Sequence, residues 1–175
     1  TGFVVSTRFS GDGKKLVSAS GDNTARLWDA ASGRELLSLT GHTSYLLSAR
    51  FSSDDQFVVT ASNDRTAKVW NTRTGECVQT LSGHTDWVKD AAFSPNNDLI
   101  ITASGDKTAR LWNARTGIQL FTLRGHTGEV NSGVFTSDGS AVLTASSDGT
   151  ARLWSPDTGE LLGAIPVGPS KVNFA

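Results

Sequence analysis

Hydroxyl, imidazole and carboxylate side chains recur together along the chain, and these are the groups that a hydrolase triad combines. The sets stand at constant spacing: His42, Thr60 and Asp64; His84, Thr102 and Asp106; and His126, Thr144 and Asp148. An enzyme rarely needs three equal active sites. The repetition therefore argues against catalysis and predicts that the chain is not an enzyme.

The sets belong to a repeat with an unvarying period. Four tryptophans stand 42 residues apart, at Trp28, Trp70, Trp112 and Trp154. The segments that end on them read SASGDNTARLW, TASNDRTAKVW, TASGDKTARLW and TASSDGTARLW, and Gly-His dipeptides recur at 41–42, 83–84 and 125–126. Runs rich in Val, Ile, Leu, Phe and Thr alternate with Gly, Asn, Asp and Ser clusters, which predicts short strands joined by tight turns. In the second copy we expect strands at 45–51, 56–62, 66–71 and 77–81.

This period, with Gly-His and Trp at fixed offsets, resembles the WD-repeat family over nearly the whole chain. The resemblance implies an all-β fold, a β-propeller in which each copy forms one blade of four antiparallel strands and the first strand lines a central channel. We expect a single propeller segment over 1–175. Its blades would span about 1–40, 41–82, 83–124 and 125–168, with 169–175 as a tail or the start of a next blade.

The resemblance also implies a role for the triad-like side chains. They would form a hydrogen-bonded chain, called the clasp below, from the indole N–H through a hydroxyl and a neutral imidazole to the carboxylate. Its expected members are His42, Thr60, Asp64 and Trp70; His84, Thr102, Asp106 and Trp112; and His126, Thr144, Asp148 and Trp154. Ser62 is an alternative to Thr60. The first copy offers only Ser18, Asp22 and Trp28, because the chain begins after the place of its histidine.

Partner-binding residues are expected on the loops that enter the first strands, where propellers of this family usually meet their ligands. These residues are Phe3, Tyr45, Trp87 and Glu129, with Asn63 from the loop between the second and third strands. Exposed aromatic side chains offer a large contact area with few rotors to immobilise, which favours protein and peptide recognition. The alternative for Trp87 is that it only covers the edge of its blade.

The predicted function is a non-catalytic protein–protein interaction scaffold, or a sensor or docking domain, that binds a protein or peptide. An architectural, oligomerising propeller without a transient ligand is the alternative. Sixteen basic and seventeen acidic residues are interspersed, so neither nucleic acid nor a membrane is an expected partner. We expect no cofactor and no metal, a cytoplasmic location, and Cys77 as small filler among apolar neighbours.

Four blades alone would leave two apolar faces in water. Two arrangements would cover them: further blades of a longer chain, making this a fragment of a larger propeller, or a second copy that completes an eight-bladed ring as a homodimer. A closed four-bladed monomer is a third arrangement. Residues 170–173 align with 128–131, as though a next first strand were beginning.

Overall fold

The computed structural model describes residues 2–166 and 168, and these residues contain sixteen β-strands. The strands are β1 (Val4–Phe9), β2 (Lys15–Ser20), β3 (Thr24–Asp29), β4 (Glu35–Thr40), β5 (Leu46–Phe51), β6 (Phe57–Ser62), β7 (Thr66–Asn71), β8 (Cys77–Ser82), β9 (Val88–Phe93), β10 (Leu99–Ser104), β11 (Ala109–Asn113), β12 (Gln119–Leu123), β13 (Val130–Phe135), β14 (Val142–Ser146), β15 (Thr150–Trp154) and β16 (Leu161–Pro166). The strands expected in the second copy are present, with bounds that differ by at most one residue. The proposed tail at 169–175 lies outside the described residues.

Each group of four consecutive strands forms its own antiparallel sheet, which we call a blade. The pairing register repeats from blade to blade, since Val17 pairs with Leu27, Val59 with Val69 and Ile101 with Leu111. The prediction of an all-β fold with four blades of four antiparallel strands is confirmed.

The turns between first and second strands hold neighbouring blades together. Asp55 and Asn97 stand in such turns with positive φ values of 57° and 63°, a conformation that Asp and Asn tolerate better than most residues. From there the Asp55 carboxylate accepts the N–H of Gly11 at 2.7 Å, and the Asn97 amide oxygen accepts the N–H of Ser53 at 2.8 Å. Each turn side chain therefore reaches back to the preceding blade.

The core consists of apolar layers between successive blades. In one layer, five side chains of blade 1 pack against four of blade 2: Val17, Ala19, Ala25, Leu27 and Leu39 against Leu46, Ala49, Val58 and Trp70. Equivalent residues fill the layers between blades 2 and 3 and between blades 3 and 4. Burial of these side chains is the main favourable contribution to folding, at about 25 cal/mol per Å² of apolar surface. No blade buries its apolar faces without a neighbour.

Cys77 corrects one expectation from the sequence. It is exposed, and its Sγ lies 3.3 Å from the carbonyl oxygen of Gln79. It is the first residue of β8, the outermost strand of blade 2. Within this strand only the Leu81 side chain is buried. The prediction that Cys77 is filler among apolar neighbours is therefore wrong. In the described part of the chain, no helix has the length and apolar character needed to cross a membrane.

Candidate functional site

The clasp of blade 3 is a continuous chain of hydrogen bonds. The indole Nε1 of Trp112 donates to Thr102 Oγ1 at 2.9 Å, and His84 Nε2 lies 2.8 Å from the same hydroxyl. His84 Nδ1 lies 2.7 Å from Asp106 Oδ2. The hydroxyl of Thr102 thus links the indole to the imidazole, and the imidazole links the hydroxyl to the carboxylate.

Blades 2 and 4 contain the same chain of contacts, each between 2.7 and 2.8 Å long. The groups that meet are His42, Thr60, Asp64 and Trp70 in blade 2, and His126, Thr144, Asp148 and Trp154 in blade 4. In blade 2 the bridging hydroxyl belongs to Thr60 and not to Ser62. Ser62 Oγ instead donates to the carbonyl of Ser44 at 3.0 Å and accepts the N–H of Asp64 at 3.1 Å.

A fifth side chain belongs to each clasp, and the sequence reasoning missed it. Thr66 Oγ1 donates to Asp64 Oδ1 at 2.6 Å, and Thr24, Thr108 and Thr150 make the same contact in their own blades. The signal was available, because a threonine follows two residues after the clasp aspartate in all four copies. This hydroxyl fixes the oxygen of the carboxylate that does not face the histidine.

The clasp hydroxyls cannot serve as nucleophiles in this conformation. Thr60 and Thr144 are completely buried and Thr102 is almost so. The imidazoles of His42 and His84 are also shielded from solvent. A nucleophile must reach its substrate, and these hydroxyls are enclosed within their blades.

The environment sets the protonation states of the clasp. Burial lowers the pKa of His42 and of His126, although the adjacent aspartates oppose the change. Burial alone would raise the pKa of Asp64, but the hydrogen bonds from Thr66 and His42 outweigh it and the net change is downward. The pKa values of Asp106 and Asp148 are lowered in the same way. In the clasps of His42 and His126, neutral imidazole beside ionised carboxylate is thus the state favoured near neutral pH.

Blade 1 contains only part of a clasp. Trp28 Nε1 donates to Ser18 Oγ at 2.9 Å, and Asp22 accepts Thr24 Oγ1 at 2.6 Å. Asp22 Oδ2, the oxygen equivalent to the one that faces histidine in the other blades, accepts Arg26 Nη2 at 2.9 Å. The hydrogen bonds from Thr24 and Arg26 lower the pKa of Asp22. The indole and the carboxylate of blade 1 therefore have separate partners.

The predicted partner-binding residues lie at one end of the blades. The backbone carbonyls of the four equivalent residues accept N–H groups from the loops between second and third strands, each at 2.9 Å: Phe3 from Gly21, Tyr45 from Asn63, Trp87 from Gly105, and Glu129 from Ser147. The loops that enter the first strands and the loops that carry the clasp aspartates thus share one surface, the loop face. The backbone of Asn63 forms part of it, while its buried side-chain oxygen has no hydrogen-bond partner among the residues that the structure describes.

Three of these residues form an exposed aromatic patch, defined as Phe3, Tyr45 and Trp87. They are 65%, 50% and 53% exposed. The rings of Phe3 and Tyr45 meet edge to face with centroids 5.9 Å apart. The Phe3 ring also lies on Gly21, where an added Cβ would come within 2.7 Å of it. Trp87 leaves about half of its surface in solvent.

Glu129 differs from its aromatic equivalents because it forms an ion pair with Lys89 of blade 3. Lys89 Nζ also donates to Asn131 Oδ1 at 3.1 Å. The aromatic patch thus spans blades 1 to 3 and ends at a charged pair between blades 3 and 4.

A second polar cluster lies on the first strands and was not predicted. Arg50 of blade 2 donates to Asp90 of blade 3 through Nε at 3.2 Å and through Nη2 at 3.0 Å. Asp90 is almost fully buried, and burial raises its pKa, while Arg50, Ser48 and the Gly133 N–H oppose the change. This pair joins blades 2, 3 and 4. The repeat pattern does not reveal this pair, since it has no equivalent in the other copies.

The first strands of all four blades line a polar channel cavity of about 270 Å³, as the propeller prediction requires. Arg8, Arg50 and Lys89 contribute its positive charges. Among the residues that the structure describes, no three His, Cys, Asp or Glu side chains converge as metal ligands would.

The four-stranded antiparallel blades stack through apolar layers, and blades 2 to 4 each contain a buried Trp–Thr–His–Asp chain. Together these features define a propeller-type repeat protein. The family model described as "WD domain, G-beta repeat" matches the chain four times, at residues 1–29, 33–71, 75–113 and 117–155. The chain therefore belongs to the WD-repeat family, and the resemblance inferred from its sequence is confirmed. A search of curated proteins found no match. Members of this family generally act as protein–protein interaction scaffolds and are typically not enzymes.

Proposed function

We propose that the chain is a non-catalytic docking scaffold that binds a protein or peptide at the aromatic patch of the loop face. The observation that carries the proposal is the exposure of Phe3, Tyr45 and Trp87 on adjacent blades. Large exposed aromatic side chains on a rigid frame are typical anchors of protein recognition, because few rotors are frozen on binding.

The clasps support this function by fixing the loop face. Asp64 Oδ2 accepts the N–H of Thr43 as well as the proton of His42, and Asp106 and Asp148 make the equivalent contacts to Thr85 and Thr127. The loops next to Tyr45 and Trp87 are thereby tied to the buried part of each blade. A surface ordered before binding loses less entropy when the partner arrives.

The proposal includes the coverage of the two end blades. The apolar faces at blades 1 and 4 would be covered by further blades, from a longer chain or from a second copy that makes an eight-bladed homodimer. The exposure of Val4 and Ile165 motivates this part of the proposal. The same exposure supports the second candidate function, an architectural propeller that oligomerises and binds no transient ligand.

Nucleic acid and membranes are not partners in this proposal, since the charges of the chain are balanced and interspersed. We also propose a cytoplasmic location, because an exposed free thiol such as Cys77 is best preserved in a reducing compartment.

A phage-displayed library of random 12-residue peptides tests the docking surface. Peptides selected on the immobilised chain should lose at least about tenfold in affinity with Trp87→Ala or Tyr45→Ala, since truncation of an anchoring aromatic commonly costs 2 kcal/mol or more. The matched control is Ile118→Glu, which changes an equally exposed apolar residue where two other copies carry Glu76 and Glu160.

Selected peptides that bind the aromatic variants and the control equally would place docking elsewhere. Failure to select any peptide, together with self-association, would favour the architectural alternative.

A further inference from the structure

A groove lies between blades 2 and 3, at the end of the blades opposite the loop face. We call it the interblade groove, and Phe57, Val69 and Phe93 form its apolar wall. Its volume of about 460 Å³ falls in the range of about 300–1,000 Å³ that is typical of small-molecule sites. Blades 2 and 3 each have a neighbouring blade on both sides, so the groove belongs to the interior of the stack.

One repeated apolar position carries a polar residue in blade 2, and this residue lines the groove. Leu37 of blade 1 and Phe121 of blade 3 pack against the apolar layers that follow their blades. Gln79 holds the equivalent position in blade 2, and its Nε2 donates to the carbonyl of Arg115 at 2.8 Å. Because this hydrogen bond ties the amide to a turn of blade 3, Gln79 does not fill the layer as a leucine or phenylalanine does.

The polar rim of the groove offers hydrogen-bond donors. Asn71 Oδ1 accepts two backbone N–H groups of its own turn at 2.9 and 3.1 Å, and Asn97 Oδ1 accepts the N–H of Ser53 at 2.8 Å. Since both amide oxygens are engaged, each asparagine can offer a ligand its NH₂ group, which only donates. The exposed Arg115 adds a guanidinium that takes part in none of the ion pairs among the described residues.

The equivalent rim between blades 1 and 2 has the opposite charge. Its two turn positions carry Asp29 and Asp55, whose carboxylates accept backbone N–H groups as the asparagines do. A carboxylate at either position repels an anion, whereas an asparagine amide can donate to one. Among the described residues that line the interblade groove, none is acidic. The nearby Asp98 carboxylate accepts the Asn96 amide at 2.7 Å and lies outside the lining.

We propose that the interblade groove binds a small organic acid with one carboxylate and an apolar body. The apolar body packs against Phe57 and Phe93, and the carboxylate accepts hydrogen bonds from Asn71, Asn97 and Arg115. A carboxylate fits this rim because it only accepts hydrogen bonds and carries the charge complementary to a guanidinium. The site depends neither on the aromatic patch nor on what covers the end blades.

Titration with phenylbutyrate, followed through the NMR shifts of the backbone amides, is the first test. Millimolar phenylbutyrate should shift the amides of residues 69–71, 93–97 and 114–115, and should leave those of the equivalent turns between blades 1 and 2 unchanged. The neutral probe phenylbutyramide has the same apolar body. It should bind at least about tenfold more weakly, because it lacks the charge that strengthens the hydrogen bonds at the rim.

Two variants change the groove by introducing residues that other copies already carry at the same positions. Asn97→Asp introduces the residue type of Asp55, which also has a positive φ, and Gln79→Leu introduces that of Leu37. Both variants should therefore fold. Each should weaken phenylbutyrate binding at least about tenfold, Asn97→Asp by charge repulsion and Gln79→Leu by filling the groove.

The arginine at the rim has a matched control one blade earlier. Arg115→Ala introduces the residue type of Ala31 and should weaken phenylbutyrate binding about threefold, as expected for an exposed charge. Arg73→Ala removes the equivalent exposed arginine of blade 2, which does not line the groove, and should leave the affinity unchanged. Equal losses in the two variants would mean that only the overall charge attracts the acid.

Three results would each overturn the proposal: no amide shifts around the groove with millimolar phenylbutyrate, equal affinity for phenylbutyramide, or full affinity in Asn97→Asp. Circular dichroism and the urea midpoint of each variant establish that it is folded, so that a loss of binding reports on the groove. Peptides selected on the aromatic patch should bind all four variants equally, because the groove lies at the other end of the blades. Failure of one site therefore leaves the other open to its own test.

Discussion

Blades 1 and 3 derive from the same sequence pattern but differ in how completely their polar and apolar groups are satisfied. Blade 3 has a complete clasp, from Trp112 to Asp106, and apolar layers on both sides. Blade 1 has a partial clasp and one apolar layer, and its Trp28 is half-buried. A blade in this chain therefore owes its stability to its neighbours as much as to its own strands.

The largest difference is expected at the two tryptophans. Trp112→Ala should cost about 3–5 kcal/mol of unfolding free energy, because it leaves a cavity and removes the donor of the clasp. Trp28→Ala should cost about 1–2 kcal/mol, since a half-buried side chain loses fewer contacts. Urea unfolding of both variants measures the difference. Equal losses would contradict the comparison.

The channel pair gives the next largest effect. Asp90→Ala should cost about 2–3 kcal/mol, because it leaves the Arg50 guanidinium and the Gly133 N–H without their buried acceptor. Arg8→Ala is the matched control in blade 1. The Arg8 guanidinium lines the same channel, and its hydrogen bond within the described part of the chain is a 3.4 Å contact to the carbonyl of Thr7. The loss for Arg8→Ala should therefore stay below about 0.5 kcal/mol. Chemical denaturation of both variants provides the test, and a near-neutral Asp90→Ala would rule out a stabilising role for this pair.

Removing the hydroxyl that accepts the indole proton should destabilise the complete clasp of blade 3 more than the partial clasp of blade 1. Thr102→Val keeps the side-chain shape but leaves Trp112 Nε1 and His84 Nε2 without a partner, at a cost of about 1–3 kcal/mol. Ser18→Ala orphans only the Trp28 indole, which reaches solvent more readily, and should cost about 0.5–1 kcal/mol. Thermal unfolding can rank the two variants. The reverse order would mean that the histidine adds nothing to the clasp.

The smallest expected effect is a pH dependence of the unfolding free energy that arises from the clasp histidines, which blade 1 lacks. The folded-state pKa values of His42 and His126 lie below the ordinary value of 6.5. The unfolded chain therefore binds more protons, and the contribution of these histidines is complete above pH 6.5 and declines as the pH falls below it. The lowered pKa values of the clasp aspartates keep their contribution constant in this range, whereas the raised pKa of Asp90 has the opposite sign.

Unfolding free energies of Asp90→Asn between pH 7.5 and pH 5 isolate the histidine contribution. Stability should fall toward pH 5, and the slope should be smaller when His42 and His126 are also replaced by Gln. An unchanged slope would show that these histidines do not titrate differently on unfolding.

Contacts that recur in every copy could be predicted from the sequence, whereas contacts that occur once could not. The period placed His42, Thr60, Asp64 and Trp70 in one set, and the structure brings them within hydrogen-bond distance. It also indicated the strands of each blade, because turn residues mark their ends. Thr66 was overlooked although its spacing is constant.

The pair Arg50–Asp90 depends on how adjacent blades are placed, and no period reveals it. The exposure of Cys77 has a similar origin, since the outermost strand of a blade has no further strand beside it. The sequence could name the residues at the ends of the stack, but only the structure identifies which of their side chains are left uncovered.

Coverage by neighbouring blades is what sets blade 3 apart from blade 1, and backbone hydrogen exchange tests its effect directly. Amides of β10 and β11 in blade 3, which has apolar layers on both sides, should exchange at least about tenfold more slowly than those of β2 and β3 in blade 1, which has one such layer. Equal exchange rates in the two blades would show that coverage by neighbours does not stabilise a blade.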